Sequence, residues 1–387
     1  VTPQGTKYGV LNQWGFDSTS NQSAGFRNAD IYQWSLSVQH ELPGNSVVEV
    51  AYSANRSTHL PFGGTKNRNF ISAATREALG STQLNELVTN PFKSLFVGAN
   101  AVFNEPDSIY NNDTIPLINL LRPYPQFNGG FEGFSLFNAN ATYNSLQMKF
   151  EKRYSHGLNL VGSYTLAKET DDSSYTSNGW LGNSTNIQDL GDLASEHSVG
   201  AADARHRIAV GGSYELPFGH GKRFGSSANK IAEGFLGGWQ INGYLTMQSG
   251  LPIIIGLSGG NLADGSQRPN VTGDPRSNVS IHDVVKGKGP YFNASAYSNP
   301  GDQVNGNAPR FDTRLRGDSI RNLDFSVFKN FQVSEGMKLQ LRTEFFNFTN
   351  RVIFGDPNGS VGDGGFGSIT SQVNSPRQVQ FGARFLF

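Results

Sequence analysis

YNSLQMKFEKRY at residues 143–154 and LNLVGSYTLAK at 158–168, separated only by Ser155-His156-Gly157, decide the fold. In the first run Leu146, Met148 and Phe150 alternate with Ser145, Gln147, Lys149 and Glu151. In the second, Leu158, Leu160, Tyr164 and Leu166 alternate with Asn159, Ser163 and Thr165. A period of two puts the apolar side chains on one face of an extended strand and the polar ones on the other. Ser-His-Gly is a tight reversal, so the two runs read as an antiparallel hairpin with two unlike faces.

The scheme recurs along the chain. Residues 31–41 and 46–56 flank Pro43-Gly44-Asn45, with Trp34, Leu36 and Val38 on one face and Val48, Val50 and Tyr52 on the partner's. Residues 205–216 and 238–250 are joined through PFGHGKRFG, and 322–331 and 337–348 through Ser334-Glu335-Gly336. The closing stretch, residues 378–387, sets Val379, Phe381, Ala383, Phe385 and Phe387 against Gln378, Gln380, Gly382, Arg384 and Leu386. LPIIIGL, residues 251–257, is a weaker additional candidate. Short turns close each pair, whereas 57–142, 169–204, 258–320 and 350–377 are long and rich in Asn, Gly, Ser, Asp and Pro. Connections beyond about 15 residues are uncommon in compact domains and mean function or disorder.

These runs predict membrane-crossing strands rather than a soluble sandwich. At ten to twelve residues they exceed the mode of about five or six for soluble sheets and match the roughly 9–11 needed to cross a bilayer at a tilt. Glu49, Lys149, Glu151, Arg207, Lys338, Arg342, Glu344 and Arg384 lie on the polar faces. Such charges need a wet lumen, because unpaired charges in a dry core cost several kcal/mol each. Tyr32, Trp34, Tyr52, Tyr143, Tyr154, Tyr214, Trp239 and Phe331 recur near strand ends, where aromatic girdles belong. Short turns on one rim and long loops on the other complete the pattern of an outer-membrane barrel. In lipid a strand edge has no water to fall back on, so the sheet must close, the final strand pairing with the first.

Composition agrees. The 387 residues carry 31 basic and 31 acidic side chains, so charge gives no sign of a nucleic-acid partner. Charged residues reach 16% and aromatics 12%, with 46 Gly and 28 Phe, against roughly 25% charged in soluble domains. The absence of cysteine excludes disulfides and thiolate metal sites. No apolar run is long enough for a transmembrane helix.

The blocks YNSLQMKFEKRYSHGLNLVGSYTLAKETDD, DARHRIAVGGSYELPFG, GWQINGYLTMQSGLPI and NLDFSVFKNFQVSEGMKLQLRTEFFNFTN resemble the C-terminal barrel of Oar-like TonB-dependent outer-membrane receptors. In that family a carboxypeptidase-regulatory-like domain and a plug precede a barrel of 22 strands, as the resemblance implies; ten would leave a narrow interior, whereas 22 enclose a plug. The expected fold is therefore all-β, an antiparallel transmembrane β-barrel with about 10–12 of those strands. Residues 1–387 are expected to be the C-terminal part of such a barrel, without plug or regulatory domain.

The resemblance implies TonB-dependent binding and uptake of an unknown substrate across the bacterial outer membrane. Expected partners are outer-membrane lipid, the TonB complex through a plug, and the barrel assembly machinery, which would read the final strand ending in Phe387. Loops 57–142, 169–204 and 258–320 and lumen residues would bind the substrate. The alternatives are a passive pore or small stand-alone barrel, and a surface adhesin. No enzyme, cofactor or metal site is expected. The seven His are scattered, and GDGGFG at 362–367 lacks the GK[ST] ending of a phosphate loop and reads as a flexible tip. Asp171, Asp172, Asp264 and Asp274 are expected in extracellular loops, without a calcium-loop spacing.

Overall fold

A nine-strand meander forms the wall of the molecule in the computed structural model, which describes residues 18–22, 27–95, 109–127, 130–172, 187–227 and 229–387. The strands are β1 (Asp30–Leu42), β2 (Ser46–Asn67), β3 (Gly130–Ser155), β4 (Leu158–Asp171), β5 (His206–Glu215), β6 (Trp239–Gln248), β7 (Ile320–Ser334), β8 (Met337–Phe346) and β9 (Gln378–Leu386). Each pairs antiparallel with its neighbours in chain order. Two short pieces, Ser18–Gln22 on β3 and Ser198–Val199 on β4, bring the sheet to eleven strands. Residues 251–257 are not among them: only Gly256 and Leu257 are extended, paired with Ser360–Val361, while Ile253 and Ile255 turn into a loop core.

Turn chemistry sets the short rim. His156 and Gly157 both have positive φ, 52° and 81°, the conformation of a two-residue hairpin loop whose twist matches that of the strands. Gly44 and Asn45 do the same between β1 and β2, with φ of 81° and 58°.

The register gathers the alternating residues into rows. Val38, Val50, Met148, Tyr164, Ile208 and Met247 lie side by side across six strands. One residue along, Gln39, Glu49, Lys149, Ser163, Ala209, Thr246 and Asn322 form a row on the opposite face. The predicted facing holds for every charge named above: Arg342, Glu344 and Arg384 also sit on the polar side, Gln340 pairing with Arg384 and Ser326 with Glu344. Tyr143 departs from the girdle expectation. It pairs with Asn55 and Glu169 on the polar face, because the odd positions of β3 between 143 and 151 point that way.

Neither outer strand has a partner on its outer edge among the described residues: β1 pairs only with β2, and β9 only with β8. The expected pairing of the final strand with the first therefore does not occur between β9 and β1. These two strands bear some of the most exposed apolar side chains, including Leu36 at 71% and Phe381 at 77%.

Buried apolar side chains concentrate above the wall instead. Ile253, Ile255, Phe292 and Leu315 form one cluster, joined by Tyr291, Tyr297, Val361 and Phe366. Tyr110 and Ile115 anchor another, and Val199, Ala201 and Phe311 a third. A sheet whose greasy face meets hydrocarbon and whose other face meets water has little side-chain core of its own, so burial falls to the long loops. GDGGFG belongs to that packing: the Phe366 ring lies 5.2 Å from Phe292 and 5.7 Å from Tyr297, so this stretch is a packed turn.

Candidate functional site: a lumenal chamber under the loop cap

β2 and β3 run for 22 and 26 residues, far beyond the roughly 9–11 that a bilayer needs. Their upper ends carry the long loops clear of the apolar belt. On β4 the belt ends at Leu166, since Lys168 and Thr170 follow on the same face.

Guanidinium groups bind the loops to one another. Arg268 and Glu196 pair through two contacts of 2.9 and 3.0 Å, with side chains 7% and 0% exposed. Gln188 lies beside them; its Oε1 accepts from the Arg268 and Gly306 backbone amides at 2.7 and 3.2 Å, and its Nε2 donates to Gly306 O at 2.9 Å. The first long loop holds α1 (Ala73–Leu84) and α2 (Leu117–Leu121), and α1 is capped by Ser72, which accepts from Thr75 N at 3.2 Å. Arg76 on that helix donates to Gln303 O at 3.0 Å and stands 3.6 Å from Asp189. The helix breaks at Gly80, whose φ is 69°, and the following Ser81 amide donates to Asp302 Oδ2 at 2.7 Å.

The aspartates singled out by sequence enter this framework singly. Asp264 takes Arg122 at 3.0 Å, Asp172 takes His197 at 3.1 Å, Asp274 takes Arg276 at 2.8 Å, and Asp171 takes Arg310. Among the described residues no three carboxylate or imidazole groups converge as a metal site would require.

Beneath the cap the polar face opens into a chamber of ≈ 630 Å³, lined by Tyr143, Gln147, Thr165, Glu169, Asp203, Arg207 and Gln248. Asp203 is committed: its side chain accepts from the Glu169 backbone amide at 2.7 Å and pairs with Arg316. Glu169 lies above the belt, close against Gly200, where a Cβ would overlap its carboxylate. Burial, then the charges of Asp171 and Asp203, push the Glu169 carboxyl up to about 7 against the pull of Arg310. Burial likewise raises Asp171, with Arg310 opposing. Arg207 is exposed into the lumen and has no ion-pair partner among the described residues. One chamber thus offers a titrating acid, a free guanidinium, amides and a phenol, equipment for holding a polar ligand.

Of the loops expected to bind, 57–142 and 258–320 supply mainly struts above this chamber, while its walls come from strand tops and residues 202–204. Arg207 was legible as a lumenal charge. Glu169 carried no distinguishing signal and Tyr143 read as a girdle aromatic, because their meeting depends on the pairing of β3 with β4.

Residues 2–380 match the outer membrane beta barrel domain family. No curated protein matches in sequence. Among solved structures, the chain is similar to the outer membrane transporter YddB from Escherichia coli, with 8% identity, TM-score 0.40, and coverage of 95% of this chain and 33% of that one. It is also similar to the ferripyoverdine receptor of the outer membrane of Pseudomonas aeruginosa, with 8% identity, TM-score 0.38, and coverage of 93% and 27%. A third is the ferric-catecholate import receptor Fiu from E. coli, with 9% identity, TM-score 0.25, and coverage of 92% and 40%. The chain thus spans between about a quarter and two fifths of these proteins. With a match over nearly its whole length, a greasy face, a wet face and loops gathered at one rim, the chain belongs to the outer membrane beta barrel domain family and resides in the bacterial outer membrane.

Proposed function

We propose that this chain is the C-terminal part of a TonB-dependent receptor barrel, which binds a polar substrate beneath its loop cap and takes it up with energy passed from the inner membrane through TonB to a plug. The observation that carries this reading is the cap. Buried pairs such as Arg268 with Glu196 lock the long loops together over the lumen, where a passive pore would keep its mouth open. The two unpaired wall edges support a larger barrel, since bare strand edges in hydrocarbon leave backbone groups unsatisfied. Phe387, 98% exposed beside Phe385, is where the barrel assembly machinery would read the final strand.

Planar-bilayer conductance of the protein extracted from its native outer membrane tests the proposal. A gated receptor shows little steady current, and its cells lose uptake but keep surface binding when TonB is deleted. A large, constant conductance, or uptake indifferent to TonB, would refute it. Deleting Phe387 should slow membrane assembly; unchanged insertion would remove the assembly role alone.

A further inference from the structure

One connection on the short-turn rim departs from the others. Residues 216–238 join β5 to β6 and contain the helix α3 (Lys230–Leu236). The Asn229 side chain caps α3 by accepting from Ala232 N at 2.9 Å. The Glu233 carboxylate accepts from the His220 amide, and a Cβ at Gly237 would overlap that carboxylate, so helix and preceding turn form one fixed body. Trp239 Nε1 donates to Phe235 O at 2.8 Å, holding the helix to the wall.

Ile231, Phe235 and Leu236 nevertheless point outward, 75%, 77% and 53% exposed. Arg223, also exposed, lies over the Phe224 ring at 5.5 Å. Between α3 and the wall is a cavity of ≈ 570 Å³ whose lining includes Phe235, Trp239, Val327, Phe331 and Leu341, within the range of small-molecule sites. Lys329 also lines it. Lys329 shares a row with Trp239 and Leu341 on the lipid face, where a cation is costly unless neutralised. Its ammonium donates to Gly237 O and stands 5.0 and 5.1 Å from the Trp239 and Phe331 rings. It has no carboxylate in ion-pair contact among the described residues.

We propose that this groove is a binding site for an anionic phospholipid of the periplasmic leaflet. One acyl chain occupies the cavity, the phosphate faces the Lys329 ammonium, and α3 lies flat in the interface with Ile231, Phe235 and Leu236 among neighbouring chains. The occupant is lipid because the groove opens on the same face as the belt, so hydrocarbon is the solvent that reaches it. Apolar residues with basic neighbours are the composition of a helix lying in a membrane surface. The inference rests on the outer-membrane location and not on the uptake reading.

The test uses the protein extracted from its native membrane and reconstituted in nanodiscs of phosphatidylglycerol or of phosphatidylcholine. A photo-crosslinking analogue replacing Phe235 should form lipid adducts. Native mass spectrometry should show phosphatidylglycerol retained in preference to phosphatidylcholine, and Lys329→Met should reduce that preference about fivefold, the effect of one basic residue at an anionic surface. Phe235→Asp, which keeps the backbone carbonyl that accepts from Trp239 Nε1, should lower retention of both lipids while the barrel keeps its resistance to unfolding in detergent. Equal retention of the two lipids by the wild type, adducts to a polypeptide instead of lipid, or unchanged preference in Lys329→Met would each overturn the proposal.

Discussion

Arg268 in the third long loop and Glu196 in the second face each other as a two-point pair that water scarcely reaches, at 2.9 and 3.0 Å. Removing one member leaves an uncompensated buried charge. Arg268→Ala should therefore destabilise the cap by roughly 3–5 kcal/mol, read as faster protease cleavage within residues 187–205 and 258–319 while the wall stays intact. Arg268→Met combined with Glu196→Leu should recover most of that loss.

Gly306 is held by the same junction. Its backbone bonds both ends of the Gln188 amide, and a Cβ there would overlap the Arg268 carbonyl. Gly306→Ala should loosen the cap as Arg268→Ala does, and Gln188→Leu should be severe because it strands several buried backbone groups. Hydrogen exchange at the Arg268 and Gly306 amides would report both.

Neighbouring residues on β2 separate the two solvents. Val50 faces lipid beside Val38 and Met148, and Ala51 faces the lumen beside Ser37 and Gln147. Val50→Arg should cost roughly 2–4 kcal/mol if it lies near the midplane, whereas Ala51→Arg should be mild. Equal losses in reversible unfolding titrations would contradict the assigned facing.

Glu169 makes the cap sensitive to pH. Its folded value of about 7 lies above its ordinary 4.5, so the folded state binds the proton more tightly. Stability is then greater at low pH and declines as pH rises from about 4.5 to about 7. Glu169→Gln resembles the protonated acid. Its cap should match the wild type at about pH 5 and resist proteolysis better at about pH 8, through loss of the ionisation penalty.

Local chemistry made the wall legible from sequence. Period-two alternation assigns each strand residue to a face whatever lies next to it, and Gly and Asn at left-handed turn positions fix where strands reverse. The outward Val50 and the lumenal Glu49, Lys149 and Arg207 could thus be placed without coordinates. LPIIIGL misled because a short apolar run reads alike as a wall strand and as a loop core; its Ile253 and Ile255 found Phe292 and Leu315 instead.

The cap and the rim groove were decided only in three dimensions. Glu196 meets Arg268 across 72 residues and Asp171 meets Arg310 across 139, and no periodicity specifies a partner at such a distance. Alternation alone puts Lys329 on the face of Phe325 and Val327; only register and the α3 connection bring it beside Trp239 and the Gly237 carbonyl. Sequence determined which solvent each strand residue meets, because that depends on backbone pleat alone. Tertiary structure decided which charges are neutralised and which remain free to bind, because that depends on which loops come to share one buried space.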